Sequence, residues 1–486
     1  MPTPDVTPII PELILAVAAC LVLVVEPFLK LDKTAVVAVA LTGLLAYGAA
    51  AFALLGQDMA GFNDMIVIND YAIFFKVLFA AAGVMTVLMS PRYLEAHDRH
   101  LGEYYALLLF AILGMSVLAA ARDLMAFYVG LELMAVSSYL LAGFFRYRLR
   151  SNEAALKYFL TGCFASAITL YGISMVYGFT GATNYAEVGT ALAGGENTLG
   201  VAFATALVFA GMGFKVSVAP FHMWTPDVYE GAPTPIAGFF SVGPKAAGFA
   251  AILMMFLAVF EASVDTWTVI FIAFSIFTML VGNLFALVQR NLKRMLAYSS
   301  IAHVGYLLAG MGAIGQSGDL LAGEAILLYL AAYTFMNLGA FGVLAYLKTQ
   351  QPVTFDYTLD DMAGLARRSP WAAILMSLFM FSLTGIPGTA GFIGKFYLFN
   401  AVVRADLVWL AAIAVIFSAV SAYYYLRVMV YMFFRESEEE FVGGEAISGP
   451  LAASLALAAA GVLFIGLVPA RLVDASATAF QNFLGL

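Results

Sequence analysis

The sequence is poor in charge and almost without cysteine. Only 11% of its 486 residues are charged and 63% are hydrophobic, and the mean hydropathy is +0.93. One soluble core cannot hide that much apolar surface, so the expected solvent is lipid. Cys20 and Cys163 lie in separate apolar stretches. They form no C-x-x-C cluster, which excludes an iron–sulfur, zinc or disulfide framework.

Nucleotide-binding motifs are also missing. No G-x-G-x-x-G precedes a predicted helix, and no phosphate-loop lysine occurs. The chain is therefore expected to hold no metal and no cofactor of its own, and no nucleic acid is expected as a partner. Any redox chemistry that drives this protein is expected to take place in another chain.

What the sequence has in abundance is long apolar runs. Fourteen can be marked, at 9–29, 34–56, 71–90, 104–121, 122–145, 154–179, 199–223, 235–260, 266–289, 297–316, 322–348, 371–398, 407–434 and 450–469. They predict an all-α polytopic membrane protein with about fourteen spans. The least secure boundary separates the fourth and fifth runs, where only Arg122-Asp123 interrupts the apolar sequence.

Basic residues are distributed unevenly between the connections. Those after odd-numbered spans hold fourteen lysines and arginines, whereas those after even-numbered spans and the C-terminal tail hold three. The positive-inside rule then places the odd connections in the cytoplasm and both termini outside. The first run lacks a basic n-region and a cleavage site, so it is expected to be a retained helix. An alanine-rich chain without a targeting presequence fits a bacterial inner membrane.

Several ionisable residues interrupt the apolar runs: Lys76, Lys157, Lys215, Lys245, Lys395 and Glu132. A charge at the centre of a bilayer helix costs roughly 2.5–3.5 kcal/mol on insertion scales, so such residues usually face a partner or a wet cavity. The set predicts a conduit for protons or cations. Burial favours release of a lysine proton and a nearby carboxylate opposes it, so moving Glu132 would switch Lys215 between holding and releasing a proton.

Two of the predicted spans contain helix-breaking residues. The seventh carries glycines before Lys215 and then Pro220, and the twelfth carries Pro387 and Gly388 ahead of Lys395. Both are expected to be discontinuous, with freed backbone groups beside protein or water. Paired interrupted helices point to two inverted repeats of five helices. The expected division is 1–103 (three helices), 104–260 and 261–434 (the repeats), and 435–486 (an acidic loop and helix 14).

Four long segments resemble one family. They are GMGFKVSVAPFHMWTPDVYEGAPTPIAG at 211–238, DLMAFYVGLELMAVSSYLLAGF around Glu132, NLKRMLAYSSIAHVGY at 291–306 and GIPGTAGFIGKF at 385–396. Together they resemble the antiporter-like subunits of respiratory complex I, the NADH:quinone oxidoreductase, and their Mrp-type relatives. The segment at 153–183, the lysine at 395 and the chain length are most similar to the ND2-type branch of bacterial complex I.

The resemblance implies a function for particular residues. It implies a coupled pair of Glu132 and Lys215, a central relay at Lys245 and a terminal lysine at Lys395. Lys157 matches an additional lysine of the sixth helix. Two histidines, His222 and His303, match positions near the axis and are further relay candidates, because imidazole titrates near neutral pH.

The same resemblance implies an enzyme subunit that moves protons while quinone is reduced elsewhere. NAD, FMN, iron–sulfur clusters and quinone are then expected in partner subunits. The expected neighbours are an M-type subunit on one side and small K- and J-type membrane subunits on the other. Two alternatives stay open. The chain could belong to a Mrp-type sodium/proton antiporter or membrane-bound hydrogenase, or it could only hold other subunits together.

Some of the charged residues have simpler explanations. Lys76 lies six residues beyond Asp70 and could extend its ammonium group to the interface, and Lys157 could do the same. His303 could be a core histidine. Arg427 is expected to pair with an acid or carbonyl inside the bundle. Glu26 is expected at a membrane edge, and the acidic run at 436–440 is expected to be a solvated loop.

Overall fold

Helices form nearly all of the described chain, and most connections between them are short. The computed structural model describes residues 6–28, 33–195, 198–351, 355–436 and 446–484. The first half of the described chain holds α1 (Ile10–Val25), α2 (Thr34–Ala53), α3 (Asp70–Glu95), α4 (Gly102–Ala120), α5 (Leu124–Ala142), α6 (Leu149–Thr180), α7 (Tyr185–Ala193), α8 (Thr198–Val216), α9 (Thr225–Gly231) and α10 (Thr234–Ala258). The second half holds α11 (Val264–Val288), α12 (Leu292–Ser317), α13 (Leu320–Gln350), α14 (Leu365–Arg368), α15 (Pro370–Thr384), α16 (Ala390–Arg404), α17 (Val408–Phe434), α18 (Gly449–Leu467) and α19 (Ala470–Leu484).

Apart from three isolated β-bridges, the β-structure of the described residues is one small hairpin between α2 and α3. Strand β1 (Met59–Gly61) pairs antiparallel with β2 (Ile66–Ile68), with Met59 opposite Ile68. The fold is therefore all-α, as the sequence predicts.

Polar caps fix where several spans begin. The side chain of Asp123 accepts a hydrogen bond from the amide of Met125 at the start of α5, and Asn291 caps α12 in the same way. The boundary at Arg122-Asp123 is therefore a real separation of two helices. It lets α4 and α5 pack closely, since a Cβ added at Gly114 would lie 2.3 Å from the amide nitrogen of Met134.

Each of the fourteen apolar runs has a helical counterpart. Twelve helices of the described chain are long and apolar enough to cross a membrane, with mean hydropathies of 1.6 to 2.6 in their most apolar stretches. The tenth run corresponds to α12, which does not reach that apolarity. The twelfth run is split between α15 and α16, which have 15 residues each. Length and composition alone therefore do not confirm the count of fourteen.

Both expected helix breaks are present. The seventh span is α8, a non-helical segment at 217–224 and the short α9. The twelfth span is α15, a non-helical segment at 385–389 and α16. Gly385 and Gly388 have φ values of +91° and +88°, a left-handed conformation that glycine adopts without steric cost. The two breaks lie at corresponding places in the two proposed repeats.

The centre of the molecule is formed by α10, α12 and α13. In the most apolar stretches of α10 and α13, 94% of residues are buried, compared with 33% in α17 and α18. Every residue of α12 from Ser299 to Ile314 is also buried. The α12 helix packs most extensively on α11. A Cβ at Gly282 would lie 2.4 Å from the amide nitrogen of Ala302, so the two backbones nearly touch.

The first four helices share one buried polar cluster, and it corrects the interpretation of Lys76. This lysine does not reach the interface, because its side chain is completely buried and its Nζ lies 2.6 Å from Glu12 Oε1. Ser116 donates to the same carboxylate oxygen at 2.6 Å, and the Tyr47 hydroxyl donates to Ser116 at 2.9 Å. Each of α1 to α4 therefore contributes one polar group.

Other charged residues can be placed as well. Arg427 donates to the carbonyls of Leu287 and Gln289 at 2.9 and 2.6 Å. The expected pairing with a carbonyl is confirmed, but it lies at the end of α11 and is only partly buried. Glu26 accepts from Lys33 at 3.2 Å and from the amide of Gly102 at 2.6 Å. Apart from Glu436, the acidic run at 436–440 lies outside the described residues.

Candidate functional site

Lys215 lies at the end of α8, one residue before the helix stops. Its side chain is 4% exposed, and its Nζ donates to the Tyr139 hydroxyl of α5 at 3.1 Å. The same ammonium group lies 5.2 Å from the centre of the Tyr139 ring, close enough for a cation–π attraction. A neutral tyrosine is thus the direct partner of this lysine.

Glu132 is half-buried on α5, two helical turns before Tyr139. Its carboxylate accepts a hydrogen bond from the Ser166 hydroxyl of α6. Among the ion pairs of the described chain, none joins Glu132 to Lys215 within 4.0 Å. The structure therefore places the two members of the expected pair on α5 and α8, which both pack on α6, and does not bring them into direct contact.

Lys245 lies in the middle of the most buried helix, α10. It is 2% exposed, and its Nζ donates to the Ser300 hydroxyl of α12 at 2.6 Å. The ring of Tyr229 in α9 lies 5.8 Å from the same nitrogen. Lys245 therefore connects the first predicted repeat to the second through a serine hydroxyl.

His303 lies one helical turn beyond Ser300 on α12 and is 2% exposed. Its Nδ1 is 2.5 Å from the Tyr329 hydroxyl of α13, and its Nε2 is 3.1 Å from the Tyr425 hydroxyl of α17. Both ring nitrogens thus have a hydroxyl partner. Tyr425 also hydrogen-bonds to Ser299, the neighbour of the serine that holds Lys245.

Lys395 projects from α16 back toward the break that separates α16 from α15. Its Nζ donates to the carbonyls of Leu383 and Thr384 and to the Ser418 hydroxyl of α17, each at 2.9 Å. The two carbonyls are free to accept because α15 ends at Thr384. The ring of Tyr306, on α12, lies 5.5 Å from the ammonium nitrogen.

We call Glu132, Lys215, Lys245, His303 and Lys395, together with the hydroxyl and aromatic side chains that contact them, the row. Aromatic rings fill the interval between Lys215 and Lys245, and Tyr158 stacks on Trp224 with 4.2 Å between ring centres. Hydroxyl and imidazole groups fill the interval between Lys245 and Lys395. None of the three lysines forms an ion pair with a described carboxylate. Each donates instead to neutral oxygen atoms.

His222 lies in the break between α8 and α9, away from direct contact with the lysines. Its side chain is 7% exposed, and its ring centre is 6.4 Å from that of Tyr298. No described protein atom hydrogen-bonds to its Nδ1.

Lys157, a predicted relay residue, lies apart from the three buried lysines. Its side chain is 45% exposed, and its Nζ lies 2.6 Å from Asp227 and 2.7 Å from Glu153. Asp227 also binds Arg294 at 2.6 Å. These residues lie on the face that carries the arginine-rich connections, which we call the basic face. Lys157 therefore belongs to an ion-pair network that links α6, α9 and α12.

Sequence reasoning missed most of the neutral partners. Tyr139, Ser300, Tyr329, Tyr425 and Ser418 all contact the row, yet each is an ordinary residue for a packed helix. For two of them a local signal exists. Tyr139 follows Glu132 by seven residues and so shares its helix face, and Ser300 precedes His303 by three. The others come from distant helices.

Metal binding has no obvious place in this arrangement. Within the described ranges, no three histidine, cysteine, aspartate or glutamate side chains form a group that could hold a metal ion. What the row can do chemically is hold and pass protons, since lysine, imidazole and hydroxyl groups all donate through N–H or O–H bonds.

The fold and the lysine row define a polytopic membrane subunit of the antiporter type. The family model described as "NADH:quinone oxidoreductase/Mrp antiporter, TM" matches residues 121–421, which span both predicted repeats. The chain is also 45% identical over 471 residues to NADH-quinone oxidoreductase subunit N from Trichlorobacter lovleyi, covering 96% of this chain and 95% of that protein. The chain belongs to the NADH:quinone oxidoreductase/Mrp antiporter family, in its subunit N branch.

Solved structures agree with this assignment. One chain of respiratory complex I from Thermus thermophilus, determined with bound aureothin, is 34% identical with a TM-score of 0.80, and the match covers 96% of this chain and 100% of that one. A chain of the Mrp complex from Dietzia sp. has a TM-score of 0.85 at 22% identity, covering 99% of this chain and 98% of that one. The second likeness concerns the fold alone.

Proposed function

We propose that this chain is the proton-translocating subunit N of a bacterial NADH:quinone oxidoreductase. In this proposal it moves protons through the row of Glu132, Lys215, Lys245, His303 and Lys395 while quinone is reduced in other subunits. The chain is part of an oxidoreductase without carrying a redox centre. The similarity to subunit N over nearly the whole length supports this function.

The observation that carries the relay is the choice of partners for the three buried lysines. A lysine kept permanently charged inside a membrane protein is expected to pair with a carboxylate. Lys215, Lys245 and Lys395 instead donate to a phenol, a serine and two carbonyls. Neutral acceptors bind an ammonium group without stabilising its charge as strongly as a carboxylate does. These lysines are therefore suited to gain and lose a proton.

The best-connected part of the proposed path runs from Lys245 to Lys395. A proton leaving the Lys245 ammonium group meets Ser300 at 2.6 Å. The Ser300 hydroxyl donates to the Ala297 carbonyl at 2.8 Å, so it passes a proton on only after it rotates away from that carbonyl. His303 then lies between the hydroxyls of Tyr329 and Tyr425. The remaining intervals, including the one from Glu132 to Lys215, require bridging water or side-chain movement.

The location and partners follow from the same proposal. The basic face is cytoplasmic, both termini are periplasmic and the membrane is the bacterial inner membrane. The other complex I subunits supply NAD, FMN, iron–sulfur and quinone chemistry. An M-type subunit flanks the chain on one side and K- and J-type membrane subunits flank it on the other. His222 stays a relay candidate through the family resemblance. For Lys157, the resemblance implies a relay role and the ion pairs favour a structural one, and the Lys157→Arg variant described below decides between them.

Arginine substitutions test the relay, because arginine keeps the charge but does not release its proton. Lys215→Arg and Lys395→Arg are expected to lower NADH-driven proton uptake and NADH oxidation together by about tenfold or more, since a positioned proton-transfer group contributes roughly 10²–10⁴ in rate. The measurement uses inverted membrane vesicles, with both rates normalised to assembled complex.

Lys157→Arg is the matched comparison. Arginine keeps its ion pairs with Asp227 and Glu153, so both rates are expected to stay near those of the native chain; a loss as large as that of Lys215→Arg would place Lys157 in the relay. If Lys215→Arg and Lys395→Arg assemble and pump normally, the chain is a scaffold. If respiration is untouched and sodium/proton exchange fails, the antiporter alternative is correct.

A further inference from the structure

A deep crevice opens between α2, α3, α13 and α19, away from the lysine row. Its volume is about 600 Å³, within the range of roughly 300–1,000 Å³ that ligand pockets have. Its walls are apolar and include Phe52, Phe74, Val77, Phe335 and Leu472. Phe52 and Val77 are 62% and 38% exposed, so the crevice opens sideways from the helix bundle.

The crevice spans one half of the membrane thickness. It begins at Asp70, the first residue of α3, and reaches Ala81. Eleven residues of helix correspond to about 16 Å, close to half of the hydrocarbon core of about 30 Å. Its Asp70 end is at the face opposite the basic face, because α2 ends and α3 begins there. A ligand in the crevice would therefore lie within a single leaflet.

The polar end of the crevice is already occupied by protein contacts. Asp70 accepts hydrogen bonds from the amide of Gly56 at 2.7 Å and from Asn482 at 2.5 Å, one on each carboxylate oxygen. Among the lining residues that the structure describes, Thr478 is the only other one with a polar side chain. The interior thus offers almost no hydrogen bonds and suits a hydrocarbon chain.

The α19 helix covers this end of the crevice and is firmly attached. Phe480 is completely buried against Gly323, where a Cβ would lie 2.0 Å from its ring. Gln481 donates to Glu324 at 2.9 Å, and the Phe483 ring centre lies 4.8 Å from that of Tyr71. With an apolar face on the bundle and a polar face outward, α19 has the character of an interfacial helix.

A basic group at the rim distinguishes between apolar occupants. A phospholipid carries an anionic phosphate at the end of its acyl chains, which an apolar helix of another subunit does not. Arg471, exposed and next to Leu472 in α19, is placed to pair with a lipid phosphate at the rim.

We propose that this crevice binds one acyl chain of a phospholipid from the leaflet opposite the basic face, with the phosphate held at Arg471. Three of the four helices that line the site, α2, α3 and α19, lie outside both proposed repeats, and the site does not depend on the proton relay.

Photolabelling of the intact complex tests the site. The complex is placed in nanodiscs of phosphatidylethanolamine and phosphatidylglycerol, with a small fraction of phosphatidylethanolamine that carries a diazirine in the middle of one chain. After irradiation, mass spectrometry is expected to find adducts concentrated on peptides of α3 and α19 that line the crevice. Equal labelling of the exposed α11 surface around Val269, or no crevice adducts at all, would overturn the proposal.

Two variants separate the chain from the phosphate. Val77→Trp fills the crevice and is expected to reduce its adducts severalfold, whereas Val269→Trp, at a valine that is 67% exposed on α11, is expected to leave them unchanged. Arg471→Gln is expected to reduce labelling by the phospholipid severalfold. A diacylglycerol with the same diazirine chain is expected to label weakly and without response to Arg471→Gln; labelling as strong as that by the phospholipid would contradict a phosphate contact.

Discussion

Lys76 differs from the relay lysines because its ammonium group faces a carboxylate. A buried ion pair brings little net stability, since removing both charges from water costs about as much as their attraction returns. Removing only one partner is far worse, because the other charge is left buried alone. We therefore expect the protein to be about as stable without the charges of Glu12 and Lys76 as with both of them, and less stable when only one is removed.

A double-mutant comparison tests this unit. Lys76→Met and Glu12→Gln are each expected to destabilise the first four helices by about 3–5 kcal/mol. The double variant is expected to recover most of that loss, because no unpaired charge remains. Thermal unfolding of the solubilised complex, followed by proteolysis of α1 to α4, measures the effect. Losses that simply add in the double variant would show that the two residues act separately.

Residues that carry charge were easier to predict than the residues that hold them. Lys215, Lys245 and Lys395 stand out because charge is rare in an apolar run. Their partners do not, since Tyr139, Ser300 and Ser418 are common in any packed helix. Lys76 shows the opposite error: its distance from Asp70 suggested the interface, whereas its partner Glu12 comes from another helix that no local pattern connects to it.

The second helix break supplies hydrogen-bond acceptors for Lys395. At the second break, α15 stops at Thr384 and leaves carbonyls that Lys395 uses as acceptors. Gly385 leaves room for the Lys395 side chain, because a Cβ there would lie 3.0 Å from Lys395 Cδ and 3.5 Å from its Nζ. Gly388 has nearly the same backbone conformation, but nothing lies within 4 Å of its Cβ position.

These two glycines form a matched pair for experiment. Alanine at either site carries the strain of a left-handed conformation, roughly 1–2 kcal/mol. Only Gly385→Ala also pushes on the Lys395 side chain, so it is expected to lower NADH-driven proton uptake severalfold more than Gly388→Ala does. Proton uptake in vesicles, normalised to assembled complex, measures the difference. Equal activities would mean that the placement of Lys395 does not depend on Gly385.

The positions of the breaks could be predicted from the sequence, but their shape could not. Proline and glycine mark where a helix cannot continue, which places the breaks near Pro220 and Pro387. Nothing local indicates that the first break extends from 217 to 224, or that α9 then runs for only seven residues. Those lengths depend on packing against helices far away in the chain.

The orientation of the molecule depends on whether α12 and the pair α15 and α16 each cross the membrane. Residues 290 and 404 are separated by the tenth, eleventh and twelfth spans, so they should lie on opposite sides. With Cys20 and Cys163 replaced by alanine, a cysteine at Arg404 is expected to react with an impermeant maleimide in intact spheroplasts. A cysteine at Arg290 is expected to react only in inverted vesicles. Labelling of both from one side would reduce the span count.

At the scale of the whole molecule, hydropathy predicted the spans but not their arrangement. The stretches in α10 and α17 have almost the same hydropathy, 1.6 and 1.7, yet 94% of one and 33% of the other are buried. Apolar residues serve equally well against lipid and against protein, so composition does not distinguish a central helix from a peripheral one. The central position of α10 follows from its packing against α3, α4, α8 and α13, which composition does not reveal.

The sparse apolarity of α12 has a consequence for how the chain is made. Between Lys293 and Tyr306 this helix carries serines, tyrosines and a histidine that are costly to expose to hydrocarbon. Its backbone meets that of α11 at Gly282, but the partners of its serines and histidine lie on α10, α13 and α17. During synthesis, α12 is therefore expected to enter the bilayer with α11 as a helical hairpin, and its polar side chains find all of their partners only after α13 and α17 have emerged from the ribosome.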